Sequence, residues 1–280
     1  MRLKEDSMDM NEYTKLMTRL FSKNGWSNVP DKKSLEKIIE FGESIDDDSR
    51  SMIIELMSQY KKISWNVYIN YIIRAIEKIP QDKYKDIKTF YVLPIITKED
   101  KGKPKSSPTV AYAFKSPEIS DHPFFSGKEI IVNDENSLPQ NISSSSTKMV
   151  ILVDDFIGTG ETVLTYLNET DKIKNILNNK IAFIFIAGME AGIKILEDKH
   201  FSVFCTFIQK KGISDLSDIK KQRKYSLLMK RIEQQFAIDK KFEFGYGHSE
   251  ALISLIRTPN NTFPVFWDSK HNKNAPFERK

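Results

Sequence analysis

Two adjacent carboxylates followed by a loop of small residues are the clearest candidate for chemistry in this sequence. Asp154 and Asp155 end the apolar run MVILV, and after two more apolar residues the chain continues as GTGET. Carboxylates accept hydrogen bonds, so this pair suits sugar hydroxyls or a hydrated Mg²⁺. Glycines let backbone N–H groups approach a ligand closely, and a helix that begins at such a loop adds partial positive charge. The loop therefore suits an anion.

One ligand would satisfy both halves of this stretch. A ribose 5-phosphate group carries a phosphate for the loop and a vicinal diol for the two acids. The two threonines of the loop add hydroxyl donors to its backbone N–H groups. The residues predicted to surround the phosphate are Gly158, Thr159, Gly160, Glu161 and Thr162.

Other interpretations of the stretch fit less well. A Walker A loop needs a lysine before its Ser or Thr, and this loop has none. A dinucleotide-binding fingerprint needs a third glycine where this sequence has Val163. Phosphate-accepting receiver domains place acids at a strand end but lack the Gly-Thr-Gly loop. The remaining alternative is an acidic turn that caps an ordinary helix.

The elements around this stretch predict an α/β fold. Near-continuous apolar runs alternate with helical patterns, which is typical of a parallel sheet flanked by helices. The predicted strands are FYVLPII, TVAYAF (Thr109 to Phe114), EIIV, MVILVDD, IAFIFIAG and FSVFCTFI. A polar run of sixteen residues, NDENSLPQNISSSSTK, connects the third and fourth strands and is predicted to lie outside the core.

The first part of the chain is predicted to be a helical extension. Asp48 or Ser49 is a suitable cap for one amphipathic helix, and Ser64 is a suitable cap for another that starts with Trp65.

The predicted domains are a helical N-terminal region, residues 1–85, and an α/β domain, residues 86–280. The α/β domain includes a basic helical segment at 209–241 and a C-terminal strand and tail at 242–280.

Composition and charge restrict the class of protein. The chain is 40% hydrophobic and 29% charged, which is typical of a globular protein with a core. Its apolar runs are too short to span a bilayer, its first residues lack the apolar stretch of a secretory signal, and we expect a cytoplasmic protein. The lone Cys205, in an apolar strand, is predicted to be buried and inert. The net charge of +5 is concentrated in residues 209–241, which face either solvent or a polyanion such as nucleic acid.

The sequence VILVDDFIGTGET resembles the phosphoribosyl-pyrophosphate (PRPP) motif of type I phosphoribosyltransferases. The match covers four apolar residues, two acids, two apolar residues and a small-residue loop that ends in Thr. Phe156 is larger than the usual aliphatic residue, and Gly158 replaces the usual Ser, Thr or Ala. The resemblance extends more weakly over residues 88–210.

The resemblance implies roles for particular residues. Asp154 and Asp155 would hold the ribose 2- and 3-hydroxyls and contact Mg²⁺ indirectly, through ribose or water. The loop from Gly158 would hold the 5-phosphate. Lys101 and Lys103 are the expected catalytic cations, which would neutralise pyrophosphate. Their neighbours Lys98 and Lys105 are further candidates.

Two regions depart from the family pattern. The expected pyrophosphate loop has only one glycine, Gly102, and the run 133–148, in the place of the mobile catalytic loop, has only one cation, Lys148. These departures leave three hypotheses open: a phosphoribosyltransferase, a non-catalytic sensor of PRPP or a nucleotide, and a nucleic-acid-associated subunit that uses its basic segment.

The helical N-terminal part and the tail RTPNNTFPVFW resemble a divergent bacterial branch, the PRTase-CE-type proteins. That resemblance implies an effector of an antiphage or retron system that acts on a nucleotide. It also implies a retron reverse transcriptase with its RNA, or another defence-locus protein, as a partner. The wider family implies a homodimer.

Overall fold

The structure is a computed structural model that describes residues 8–279. Its helices are α1 (Met10–Lys23), α2 (Val29–Glu43), α3 (Asp47–Gln59), α4 (Tyr68–Ile76), α5 (Ser107–Ala113), α6 (Pro117–Ser120), α7 (Glu161–Glu169), α8 (Asp171–Lys174), α9 (Glu190–Glu197) and α10 (Ile219–Gln235). Its strands are β1 (Lys61–Lys62), β2 (Thr89–Pro94), β3 (Glu129–Val132), β4 (Lys148–Ile157), β5 (Ile181–Met189), β6 (Ser202–Gln209) and β7 (Ile253–Ser254). No helix in this part of the chain is both long and apolar enough to cross a bilayer.

Internal packing groups these elements into two compact units. One unit contains the described residues up to Ile63 together with those from Lys210 onward, and the other is Ser64–Gln209. The packing units thus divide the chain at 63/64 and 209/210. The sequence-based division at residue 85 concerns domains and stays a prediction.

A five-stranded parallel sheet forms the centre of unit Ser64–Gln209, with strand order β3-β2-β4-β5-β6. All nine residues of β5 are buried, as expected for a strand covered on both faces. Helix α4 packs on β5 and β6, and α5 packs on β2 and β4. Residues of α7, α8 and α9 join an apolar cluster with alternate residues of the strands. The predicted α/β fold with a helix-flanked parallel sheet is confirmed.

One predicted strand is wrong. The segment TVAYAF lies in helix α5, whose second residue is Pro108, a favourable residue for a helix start. Its buried residues Ser107, Val110 and Ala111, with the following Phe114, have helical spacing. A six-residue apolar run does not distinguish strand from helix by periodicity, and the proline at the start of the segment favours the helix.

The other unit contains α1, α2 and α3, which confirm a helical N-terminal region, whereas α4 belongs to unit Ser64–Gln209. Helices α1, α2, α3 and α10 share an apolar core with residues of the C-terminal segment. The cap of α3 is Asp46, whose side chain accepts a hydrogen bond from the Ser49 backbone N at 2.9 Å, so the predicted caps Asp48 and Ser49 were wrong by two and three positions. Helix ends are commonly misplaced by one or two residues.

The single cysteine is buried, as its apolar surroundings in the sequence predicted. Cys205 is a buried free thiol in β6, and burial raises its pKa to about 12. A thiol held neutral in this way is a poor nucleophile, which agrees with an inert side chain.

Candidate functional site

The order of the central strands identifies one edge of the sheet as the expected site of a ligand. From β2 the chain passes to β3 on one side, and then returns to β4 on the other side of β2. In open parallel sheets, ligands bind beyond the carboxyl ends of the strands at such a reversal. The acid pair lies near the carboxyl end of β4, and Ser106 follows the carboxyl end of β2. The strand order therefore predicts a ligand site at the acid pair without reference to the sequence motif.

Two side chains from outside the motif hold the acid pair. The Ser106 hydroxyl lies 2.7 Å from Oδ1 of Asp155 and 3.3 Å from Oδ1 of Asp154. The Tyr68 hydroxyl donates to Oδ2 of Asp155 at 3.1 Å. The backbone N of Asp155 donates to Oδ1 of Asp154 at 2.8 Å. Both oxygens of Asp155 are therefore engaged, and its carboxylate has a defined orientation.

The electrostatics of the pair follow from burial and proximity. Burial raises the pKa of the Asp154 carboxyl well above its usual value, and the adjacent Asp155 carboxylate raises it further. Burial also raises the pKa of Asp155, although the hydrogen bonds from Ser106 and Tyr68 work in the opposite direction. Two carboxylates in this situation favour a shared proton, a cation or hydroxyl donors. The pair is therefore suited to a diol or a hydrated cation.

The Gly/Thr loop forms the start of α7. Gly160 is the N-cap of this nine-residue helix and has a φ of +81°, a conformation that favours glycine. Because this cap has no side chain, it makes no capping bond to the first turn, and the backbone N of Glu161 donates to Oγ1 of Thr159 at 3.4 Å. A helix start of this kind is suited to an anion. Helix α7 begins at Glu161, and Thr162 is exposed in its first turn.

A second glycine allows the loop to adopt this position. Gly192, in the first turn of α9, packs so closely that a Cβ there would lie 2.1 Å from the carbonyl oxygen of Gly158. The first turn of α9 therefore packs directly against the Gly/Thr loop and supports its position.

The lysines predicted to neutralise pyrophosphate lie in the loop after β2, and the side chains of three of them contact an acid. The Nζ of Lys101 lies 3.1 Å from Glu135, and the Nζ of Lys103 lies 3.4 Å from Glu99. Lys105 pairs with Asp100 at 2.6 Å. Within residues 8–279, the side chains of Lys101 and Lys103 do not contact the acid pair. Their catalytic roles stay predictions.

The polar run after β3 was predicted to lie outside the core. In the structure, two of its residues are buried in the core. Leu138 and Ile142 are buried in the apolar cluster on the α7 face of the sheet. The Nζ of Lys172 in α8 donates to the carbonyl of Leu138 at 3.3 Å, and the Ser143 hydroxyl donates to the carbonyl of Asn175 at 2.9 Å. The apolar side chains of Leu138 and Ile142 indicated burial, but the sequence interpretation treated the whole run as polar.

Sequence reasoning also missed the residues that hold and flank Asp155. Ser106 was part of a polar loop, and Tyr68 lay within the predicted helix that starts with Trp65, where it was assigned no role. Trp65, predicted on the apolar face of that helix, precedes it in a 3₁₀ turn and is 56% exposed. Its ring lies 5.4 Å from that of Tyr68. No local pattern distinguishes a tyrosine that packs from one that bonds a carboxylate.

The acid pair offers oxygen donors for a Mg²⁺ ion. No cluster of three or more His, Cys, Asp or Glu side chains suited to a metal occurs in the described chain. Asp154 and Asp155 alone offer two hard oxygen donors, which suits a Mg²⁺ that keeps several waters and takes its other ligands from a substrate phosphate. The residues present therefore fit an indirectly held Mg²⁺ and do not form a closed metal site.

Comparisons with known proteins agree with this geometry at the level of the family. The sequence model of the PRTase-CE family matches residues 49–279. No curated protein matches the chain. Among solved structures, that of the AQ2163 protein from Aquifex aeolicus is 15% identical, and the match covers 55% of this chain and 68% of that one. Its TM-score is 0.28, so this similarity supports no further conclusion.

Proposed function

The chain belongs to the PRTase-CE family, and from that premise we propose that it binds PRPP, or a nucleotide containing ribose 5-phosphate, together with Mg²⁺. One observation carries the proposal. The acid pair near the carboxyl end of β4 leads within a few residues into the glycine-capped start of α7. Diol acceptors and a phosphate-binding helix start thus lie next to each other in one segment.

Each half of the segment has its own part in binding. The ribose 2- and 3-hydroxyls donate to the carboxylates of Asp154 and Asp155, and the 5-phosphate accepts from N–H groups of the loop at residues 158–162. Because Ser106 and Tyr68 hold Asp155, little conformational freedom is lost when the ribose binds. A bound Mg²⁺ would offset the charge of the substrate phosphates next to two carboxylates.

The reaction supported best by this arrangement is pentosyl transfer. The bond from ribose C1 to pyrophosphate breaks, its electron pair leaves with pyrophosphate, and an acceptor nucleophile forms the new bond at C1. The protein's contribution is position and charge rather than covalent chemistry. In this proposal Lys101 and Lys103 exchange their carboxylate partners for pyrophosphate oxygens.

A second candidate function is a non-catalytic sensor of the same ligand. The specific observation in its favour is that Lys101, Lys103 and Lys105 all pair with carboxylates of the same region. A site with a complete ribose-phosphate half and no free cation among these three lysines would bind the ligand without cleaving it.

The cellular setting is also a proposal. The family resemblance supports a cytoplasmic effector or sensor in an antiphage or retron system, with a reverse transcriptase, its RNA or another defence-locus protein as partner, and a homodimer. Part of the charge of the basic segment is offset, because Lys221 and Lys224 of α10 pair with Glu55 and Asp48 of α3, whereas Lys220 and Lys230 are exposed. Arg231 of the same helix pairs with Asp46.

Calorimetric titration with PRPP and ribose 5-phosphate, in the presence of Mg²⁺, tests the proposal. We expect Asp154→Asn/Asp155→Asn to weaken both ligands by at least about tenfold, since it removes the charge of the acceptors. The control, Glu197→Gln/Asp198→Asn, removes two adjacent exposed acids at the end of α9 and should bind like wild type. Wild-type protein that binds neither ligand nor any nucleoside monophosphate would disprove the proposal.

Product analysis then separates the two candidate functions. Release of pyrophosphate from PRPP in the presence of an acceptor would identify a transferase. Binding of PRPP with no release would identify a sensor.

A further inference from the structure

A cavity of about 470 Å³ lies within unit Ser64–Gln209, away from the acid pair. Its walls come from α7, α8 and the residues that lead into β5 and β6. Ile181, which lines it, is the first residue of β5, whereas Asp154 pairs with Phe185 of the same strand. Four residues of strand separate these two levels, a rise of about 13 Å. The cavity therefore lies toward the amino-terminal edge of the sheet, and the acid pair lies near the opposite edge.

The polar side chains of this cavity are cationic or neutral. Lys174, Lys199 and His200 line it together with the amides of Asn168 and Asn178, and no carboxylate does. In the described part of the chain, the side chains of Lys174, Lys199 and His200 make no hydrogen bond or ion pair. The cavity therefore presents two ammonium groups whose charges are not offset by a protein partner.

The other unit provides an internal comparison. A cavity of about 310 Å³ there is also lined by lysines, but Lys37 pairs with Glu278 and Lys62 pairs with Asp31. At least two lysines that line this smaller cavity thus form ion pairs with carboxylates. The absence of carboxylates around Lys174 and Lys199 is a distinguishing property of the larger cavity.

We propose that the larger cavity is a second binding site, for a phosphate-bearing organic molecule of about nucleotide size. Lys174 and Lys199 are placed to donate charge-assisted hydrogen bonds to phosphate oxygens. Leu164 and Leu167, which are half-buried, provide apolar surface, which suits a ring rather than a bare anion. The volume falls within the range of about 300–1,000 Å³ that is usual for small-molecule sites.

The position of the cavity links it to the phosphate loop. Leu164, Leu167 and Asn168 of α7 line it, and α7 begins directly after Gly160. A ligand in the cavity thus contacts the same helix whose first turn faces the proposed 5-phosphate. Occupancy at one end of α7 is expected to change affinity at the other, and the change is reciprocal.

The test uses the full chain in the Asp154→Asn/Asp155→Asn background, so that binding at the acid pair does not contribute. Equilibrium dialysis measures binding of ATP and of tripolyphosphate, which has the charges but no ring. We expect one ATP per chain, with tripolyphosphate at least about tenfold weaker because it lacks the apolar contact. Adding Lys174→Gln/Lys199→Gln should weaken ATP by at least about tenfold, whereas adding Lys220→Gln/Lys230→Gln, which removes the same charge from α10, should not.

A second measurement on the wild-type chain does not depend on how the variants fold. ATP should protect Lys174 and Lys199 from acylation by an N-hydroxysuccinimide ester, as read by mass spectrometry, and should leave Lys220 reactive. Three results would each overturn the proposal: no ATP bound in the Asp154→Asn/Asp155→Asn chain, equal binding of ATP and tripolyphosphate, or no selective protection. Failure of PRPP to bind wild-type protein leaves these outcomes unaffected, so the two proposals fail separately.

Discussion

Gly192→Ala is expected to displace the phosphate loop without touching any group that contacts a ligand. The added Cβ would lie 2.1 Å from the carbonyl oxygen of Gly158, whereas contacts of a Cβ below 3.0 Å are essentially never observed. Either the loop or the first turn of α9 must therefore move by about 0.9 Å. The nearest obstacle is backbone, so a rotamer change cannot relieve the contact.

The size of that movement sets the expected effects. Displacing binding groups by about 1 Å lowers productive binding by up to about a hundredfold, so we expect ribose 5-phosphate affinity to fall by between about tenfold and a hundredfold. Overpacking of this kind also costs about 1–3 kcal/mol of stability. Binding and stability should therefore decrease together.

Calorimetry with ribose 5-phosphate and urea unfolding measure the two effects. The control is Gly25→Ala, in the other unit, where φ is +69° and no atom lies within 4 Å of the added Cβ. A left-handed alanine there costs about 1–2 kcal/mol, so stability falls without any change at the loop. Wild-type affinity together with wild-type stability in Gly192→Ala would refute the inferred support of the loop by α9. If affinity stays normal while stability falls, the helix rather than the loop has moved.

Two further predictions concern buried polar groups. Tyr68→Phe removes the hydroxyl that donates to Asp155 at 3.1 Å; calorimetry should show ribose 5-phosphate bound about tenfold more weakly, while Tyr71→Phe should bind like wild type. Burial raises the pKa of Glu233 to about 8, with Glu243 and Glu250 adding to the shift. Because the folded state keeps this proton while the unfolded state loses it, Glu233→Gln should gain stability over wild type as pH rises from about 4.5 to 8, by up to about 1.4 kcal/mol per pH unit, and the gain should stay constant above. Urea unfolding of both proteins at pH 5 and 8.5 measures the difference, and a difference independent of pH would contradict the assignment.

Local patterns were sufficient to predict the acid pair, the loop and most of the sheet. The strand, the acids and the glycines lie within thirteen consecutive residues, so composition and order carry the information. The strands β4, β5 and β6 are long and mostly apolar, which makes them recognisable without their partners. The short segment 107–113 was not recognisable as a helix from its sequence, because its few apolar residues fit both the helical and the strand period.

Contacts between distant parts of the chain were not predictable in this way. Tyr68 and Asp155 are 87 positions apart, and the pairing of Lys61 with Ile253 joins a strand near the N-terminal helices to the C-terminal segment. Charge patterns were also misleading by themselves. Lys221 and Lys224 suggested a free basic face, but their partners Glu55 and Asp48 lie on another helix. A single sequence gives the charge of each element but not the charge of the surface it packs against.

The loop lysines determine whether the site transfers or only binds. Their pairs are largely exposed: the side chain of Lys101 is 59% exposed and that of Lys103 is 54% exposed. Exposed ion pairs contribute only about 0–1 kcal/mol each, so pyrophosphate can displace their carboxylate partners at small cost. In the proposed site, Ser106 and Tyr68 preorganise the ribose-phosphate half, while the pyrophosphate half would have to reorganise for PRPP to bind. If that reorganisation occurs, PRPP binds more tightly than ribose 5-phosphate and Lys101→Gln/Lys103→Gln removes the difference. If the lysines keep their carboxylates, the two ligands bind equally, and the sensor hypothesis is favoured.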